Sequence, residues 1–170
     1  EGILITDGDN IILNVNHAFT TVTGYSAAEV LGKTPAMLNS GRQEPQFYQS
    51  MWERLKRDKF WEGEIWNRRK DGSVYPERLA ISAVTNGAGK VVNYVATFSD
   101  ITRQKKSEEE NYNLAFLDPL TSLPNRRLLF DRIQQSMAAS ARHGQHGAAL
   151  FIDLDHFKAI NDTKGHETGD

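Results

Sequence analysis

The sequence predicts an α+β protein: a five-stranded antiparallel sheet with helices on one face, then a linker helix, then the first part of an α/β unit. Three observations predict it. Short apolar runs separated by turn residues fall into two groups, at residues 3–13 and 60–98. Between them Tyr48, Met51, Trp52 and Leu55 recur at i, i+3, i+4 and i+7, one face of an amphipathic helix. After Asp100 the chain turns polar and helical, then reaches the wholly apolar run Ala148-Ala149-Leu150-Phe151-Ile152, which ends in Asp153-Leu154-Asp155.

Each element follows from its residues. Ile3-Leu4-Ile5 and Ile11-Ile12-Leu13 flank Asp7-Gly8-Asp9-Asn10, a hairpin. Ser26-Ala27-Ala28-Glu29 has the spacing of a capping box, with Gly32 as the stop, and a helix is expected between Pro45 and Lys59. Phe60–Arg69, Ser73–Val84 and Lys90–Phe98 form a meander joined by Lys70-Asp71-Gly72 and Asn86-Gly87-Ala88-Gly89. Helices between the two strand groups can cross one face of the sheet and leave a pocket beneath them. A linker helix is expected up to Asp118-Pro119. Pro124 is placed at the first position of the next helix, with Leu129, Ile133 and Met137 on one face, and residues 148–152 as a strand buried on both sides.

Composition excludes several functions. Acids and bases are interleaved to a net charge of -2 with no basic stripe, which argues against nucleic acid as a partner. With no cysteine, disulfides, thiolate metal sites and thiol nucleophiles are excluded, which suits a cytoplasmic location. No apolar stretch approaches the roughly 20 residues of a membrane helix, so no membrane contact is expected within residues 1–170. The chain reads as an interior excerpt, compatible with a membrane anchor upstream.

Asn16-His17-Ala18-Phe19, Thr23-Gly24-Tyr25, Glu29-Val30-Leu31-Gly32, Trp61-Glu62-Gly63-Glu64, Asn67-Arg68-Arg69-Lys70-Asp71-Gly72 and Asp100-Ile101-Thr102 occur in that order, and residues 1–103 so resemble the PAS family of sensor domains. The resemblance implies the PAS fold and a pocket for flavin, haem, a small metabolite or nothing. Haem is disfavoured because no histidine lies between His17 and His143. The light-driven flavin–cysteine adduct of some relatives is excluded, since Pro35 stands near the position that carries their cysteine. Residues 38–72 resemble the FAD-binding PAS domains of redox sensors, which implies that Trp52 and Asn67 contact the flavin ring. FAD is therefore a candidate cofactor. The alternative is that Trp52 belongs to the core and Asn67 bonds backbone or water.

Asp118-Pro119-Leu120-Thr121-Ser122-Leu123-Pro124-Asn125-Arg126-Arg127, and then Phe151 through Asn161-Asp162 to Gly165-His166 and Gly169-Asp170, resemble the opening of GGDEF domains, in which glycine is commoner than Ser122 at its position. Making a phosphodiester from a nucleoside triphosphate calls for carboxylates at a strand end to hold a divalent cation. The resemblance implies that Asp153 and the Leu154 carbonyl bind Mg2+. It also implies that Phe157 and Lys158 face the triphosphate, with Lys158 stabilising charge in the transition state. Asn161 and Asp170 would read guanine, and His166 would lie near the nucleotide. Asp155 reads equally as a helix cap, and Arg126 and Arg127 as structural residues.

The expected organisation is residues 1–103 as PAS sensor, 104–117 as helical linker and 118–170 as the N-terminal part of a GGDEF domain, cut before its signature loop and so inactive alone. Two functional readings stand. Either the parent condenses two GTP into cyclic di-GMP as a homodimer joined through the PAS domain and linker, or the cyclase domain is degenerate and the protein is a regulatory module, controlling for instance a downstream phosphodiesterase.

Overall fold

In the computed structural model, which describes residues 1–144, 146–165 and 167, the first hairpin forms as its turn residues dictate. Strands β1 (Gly2–Asp7) and β2 (Ile12–Val15) pair antiparallel. Between them the Asp7 carboxylate accepts the amides of Asp9 (2.9 Å) and Ile11 (2.8 Å), while Asn10 takes the left-handed conformation that asparagine tolerates. Helix α1 (His17–Thr23) starts at Asn16, whose Oδ1 accepts the Phe19 amide of the first turn and the Ile3 amide of β1, each at 2.9 Å. One side chain thus caps a helix and anchors a strand. Asn16→Ala is expected to cost about 1–2 kcal/mol, read as a lower urea midpoint in tryptophan fluorescence.

Helix α2 (Ala27–Val30) opens with the Ser26 amide and hydroxyl both donating to the Glu29 carboxylate. Lys70, and then Ser26, hold that carboxyl at about 2, well below the usual range. A 3-10 turn (Pro35–Leu38) leads to α3 (Pro45–Asp58), with proline in the first turn and Lys59 in the left-handed conformation at its end. On the expected stripe Met51 and Leu55 are buried and Tyr48 and Trp52 half-buried.

Strands β3 (Phe60–Arg68), β4 (Val74–Thr85) and β5 (Val91–Asp100) complete an antiparallel sheet in the order β2-β1-β5-β4-β3. Alternation along the pleat puts Trp61, Ile65 and Asn67 of β3, Tyr75, Glu77, Leu79 and Ile81 of β4, and Tyr94, Ala96 and Phe98 of β5 on the buried side. Phe19, Val30, Leu38, Met51 and Leu55 close over that face and make the core. Helix α4 (Thr102–Phe116) follows β5 almost directly, capped by Asp100, whose Oδ1 accepts the Thr102 amide at 2.8 Å.

The chain divides into two compact units, Glu1–Lys106 and Ser107–Asp170. In the second, the Asp118 carboxylate accepts the Thr121 amide and hydroxyl, each at 2.9 Å, and the Asp118 amide donates to the Leu123 carbonyl. Ser122 has φ 57, a left-handed conformation that explains why glycine suits this position. Ser122→Gly is expected to stabilise the turn by about 0.5–1 kcal/mol, read as slower hydrogen exchange of the amide at position 122.

Three expectations for this unit are corrected. Helix α5 (Arg126–His143) begins two residues later than expected: Asn125 is its cap, accepting the Leu128 amide, and Pro124 precedes the cap. Residues 148–152 do not form a strand buried on both sides; Leu150, Phe151 and Ile152 are more than 80% exposed. A parallel-type strand needs pairing neighbours and helices on both faces, and the described residues of this unit supply neither. Helix α6 (Phe157–Lys164) is capped by His156 at φ 60, so Asp155 is not its cap.

Candidate functional site

Between α3, the Pro35–Leu38 turn and the buried face of the sheet lies a pocket of about 310 Å³. Its walls are apolar, from Leu79 and Ile81 of β4, Ala96 and Phe98 of β5, and Met51 of α3. Trp52 and Asn67 both line it. Trp52 stands edge-on to Tyr94, with ring centres 5.5 Å apart.

Asn67 and Glu77 make the polar end. The Asn67 Nδ2 donates to Glu77 Oε1 at 2.9 Å, and the Tyr75 hydroxyl donates to Glu77 Oε2 at 2.8 Å. The Asn67 amide nitrogen is thus met by a buried carboxyl, a partner not weighed from the sequence. Burial raises the Glu77 pKa to about 7, although the hydrogen bonds from Tyr75 and Asn67 favour its ionised form. Burial and then Glu77 push the Tyr75 phenol upward, and the same two causes raise Tyr48.

Glu77 is the functional candidate that sequence reading passed over. The signal was present in the alternation: Tyr75, Glu77, Leu79 and Ile81 share one face of β4, which puts a carboxyl in an apolar row. A further connection runs from this end of the pocket. The Arg69 guanidinium stacks over the Tyr75 ring at 3.8 Å, donates to the Val22 carbonyl, and donates through Nη2 to Asp100 Oδ2 at 2.6 Å. Burial works against ionisation of Asp100, but Thr102 and Arg69 together hold its pKa below the usual value.

Asp153, Leu154, Phe157 and Lys158 are solvent-exposed around the start of α6, and Asn161 is half-buried. Asp153 Oδ1 accepts the Leu154 amide at 3.0 Å, and the Leu154 carbonyl accepts the Phe157 amide at 3.4 Å. Lys158 lies in the first turn of α6 and Asn161 in its second. The Asn161 Oδ1 is buried without a hydrogen-bond partner among the described residues. Among those residues no group of three or more His, Asp or Glu side chains is placed to hold a metal. His166 and Asp170 lie outside the described residues. Arg126 and Arg127 stack on Phe130 and Phe116, as befits structural residues.

The meander, the helices across one face and the pocket beneath them define a ligand-sensing class of fold. The family model for the PAS domain matches residues 1–103, and the chain belongs to that family; the model described as diguanylate cyclase, GGDEF domain, matches residues 115–170. A nitrogen fixation regulatory protein of Klebsiella oxytoca is 36% identical over 100 residues, which cover 59% of this chain and 20% of that protein. The bifunctional diguanylate cyclase/cyclic di-GMP phosphodiesterase MucR of Pseudomonas aeruginosa is 46% identical over 69 residues, 41% of this chain and 10% of that protein. A diguanylate cyclase of Vibrio cholerae is 39% identical over 82 residues, 48% of this chain and 26% of that protein. The matches thus span about a quarter or less of these relatives.

Among solved structures, a light-oxygen-voltage domain studied with a flavin analogue superposes with TM-score 0.55 at 30% identity, covering 65% of this chain and 87% of that one. A PAS domain from Colwellia psychrerythraea superposes with TM-score 0.57 at 22% identity, covering 60% of this chain and 86% of that one, a likeness of fold. No helix among the described residues is long and apolar enough to cross a membrane.

Proposed function

We propose that the chain is the sensory and signal-transducing part of a protein that, whole, condenses two GTP into cyclic di-GMP under control of the PAS pocket. The observation that carries this reading is α4. It starts two residues after the last sheet strand ends at Asp100 and runs unbroken to Phe116, next to the Asp118 turn with which the cyclase-like motifs begin. Its exposed Leu114 is an apolar side chain that a second copy would cover, which supports a homodimer paired through this linker.

In the cyclase step the 3′-hydroxyl of each GTP attacks the α-phosphate of the other, and pyrophosphate leaves. Asp153 and the Leu154 carbonyl would hold Mg2+; their oxygens suit a hard cation that keeps several waters, so they fit as part of its shell. Mg2+ would neutralise phosphate charge and favour ionisation of the hydroxyl. Lys158 and the Phe157 amide would meet the triphosphate. Asn161, whose Oδ1 is a buried acceptor without a partner among the described residues, would read the guanine edge with Asp170, and His166 would lie close by. Asp153→Ala and Lys158→Ala in the whole protein are each expected to lower cyclic di-GMP formation by about 10²-fold or more. GTP binding without turnover by the unaltered protein would instead favour the regulatory-module reading.

In the PAS pocket the proposed occupant is the ring system of FAD. Apolar walls with a polar edge at Asn67 and Glu77 suit a tricyclic ring, and a volume of about 310 Å³ holds the ring rather than the whole dinucleotide. The purified chain is expected to show flavin absorption bands, which Asn67→Leu diminishes. A colourless protein that takes up no added FAD would sink the flavin reading.

A further inference from the structure

We propose that Glu77 reads the hydrogen-bonding character of the pocket's occupant by gaining or losing a proton, and that the change reaches the first turn of α4 through Tyr75, Arg69 and Asp100. The inference deepens the sensory reading of the pocket and rests on it. The ligand class it implies is a planar heterocycle with carbonyl or ring-nitrogen acceptors on the edge that meets Asn67 and Glu77.

The hydrogen-bond inventory carries the first half. As a carboxylate, Glu77 has each oxygen met by a donor, the Asn67 amide nitrogen and the Tyr75 hydroxyl. Once protonated it has an O–H of its own, and neither of those donors can accept it as placed. Asn67 must turn its amide, Tyr75 must turn its hydroxyl, or the ligand must offer an acceptor. A ligand acceptor therefore binds with uptake of one proton from solvent, and a ligand N–H favours the carboxylate. Glu77 lines the pocket while only 2% exposed, so few waters can replace these partners. Because burial lifts its pKa to about 7, both forms are accessible near neutrality.

The second half is a chain of contacts. The charged and titratable groups acting on Glu77 are Tyr75 on its own strand, Arg69 just beyond β3, Asp100 at the end of β5 and Tyr48 on α3. Asp100 is the cross-strand neighbour of Glu77, shares Arg69 with the Tyr75 ring, and caps α4 at Thr102. A second tie runs beside it, from the Ile101 amide to the Pro76 carbonyl at 3.1 Å. When Glu77 is neutral, the Arg69 charge is left to Asp100, whose hold on Thr102 tightens. When Glu77 is ionised, it competes for Arg69 and repels Asp100.

The test is an NMR titration of the 170-residue chain, following the Glu77 side-chain carboxyl carbon and the Thr102 amide from mildly acidic to mildly alkaline pH. The two signals are expected to share a midpoint. In E77Q the corresponding step at Thr102 should vanish. In Arg69→Gln, which removes the charge that Glu77 and Asp100 share, Glu77 should still titrate while the Thr102 step loses most of its amplitude. A Thr102 step that persists at the same midpoint in E77Q, or a Thr102 amide that stays still while Glu77 titrates, overturns the proposal. Added FAD separates this from the cofactor reading. FAD that binds should move the shared midpoint, and FAD that binds without moving it overturns the ligand half. If FAD does not bind, the flavin reading fails, and the Glu77–Thr102 coupling is still judged by the two variants.

Discussion

Replacing Phe19 with alanine is expected to lower the stability of the PAS domain by about 3–5 kcal/mol, the range for emptying a fully buried aromatic site. Phe19 has no exposed surface and meets Phe98 of β5 edge-on, with ring centres 5.8 Å apart. It fastens α1 to the sheet, so the cavity opens at the joint between the two layers. Domains of this size are stable by roughly 5–15 kcal/mol, so the loss is a large share of the total. It should appear as a fall in melting temperature on the order of 15–25 °C. Tryptophan fluorescence reports this unit selectively, because the three tryptophans of the chain, Trp52, Trp61 and Trp66, all lie within it. Phe19→Leu, which keeps most of the volume, should fall between the two. A shift of only a degree or two would mean that this joint does not limit the stability of the domain.

The sheet was legible in the sequence because each strand advertised itself twice, by alternation and by the turn beside it. Asp7-Gly8-Asp9-Asn10 and Asn86-Gly87-Ala88-Gly89 close their turns through Asp7 and Asn86, whose Oδ1 atoms each accept two backbone amides. The α3 stripe was legible for the same reason. Met51 and Leu55 are where a 3.6-residue period puts the buried side of a helix.

Residues 148–152 failed the same kind of reading because burial is not a local property. A run of apolar residues states what a strand requires, and whether it is met depends on neighbours that the run does not contain. The segment has no ladder partner among the described residues, and its side chains stay in solvent. The site was half legible. Alternation and resemblance together pointed Trp52 and Asn67 at the pocket, and both line it. Glu77 was passed over because a glutamate in a strand reads by default as solvent-facing. Only the phase of its neighbours shows otherwise, and only the three-dimensional structure supplies Asn67 and Tyr75 as the partners that make a buried carboxyl tolerable.

Glu77 also makes a thermodynamic prediction separate from any signalling role. Its pKa is about 7 in the folded protein against an ordinary 4.5, so between those values the folded chain holds a proton that the unfolded chain has released. Linkage then requires stability to fall as pH rises through this window, reaching a loss of about 3 kcal/mol above it, with no contribution below about 4.5 where both states are protonated. Asp100 acts with the opposite sign and at lower pH. Its folded pKa is depressed, so its contribution is present above the ordinary carboxylate range and is lost as pH falls through the folded value. In Glu77→Gln the neutral amide stands in for the protonated acid at every pH. The variant is expected to match the parent at mildly acidic pH and to exceed it by up to about 3 kcal/mol at mildly alkaline pH, read from urea midpoints in tryptophan fluorescence. A difference between the two that stays constant across the window would show that Glu77 remains ionised throughout. The pocket would then hold a fixed negative charge, and cationic heterocycles rather than neutral ones would be the ligands to try.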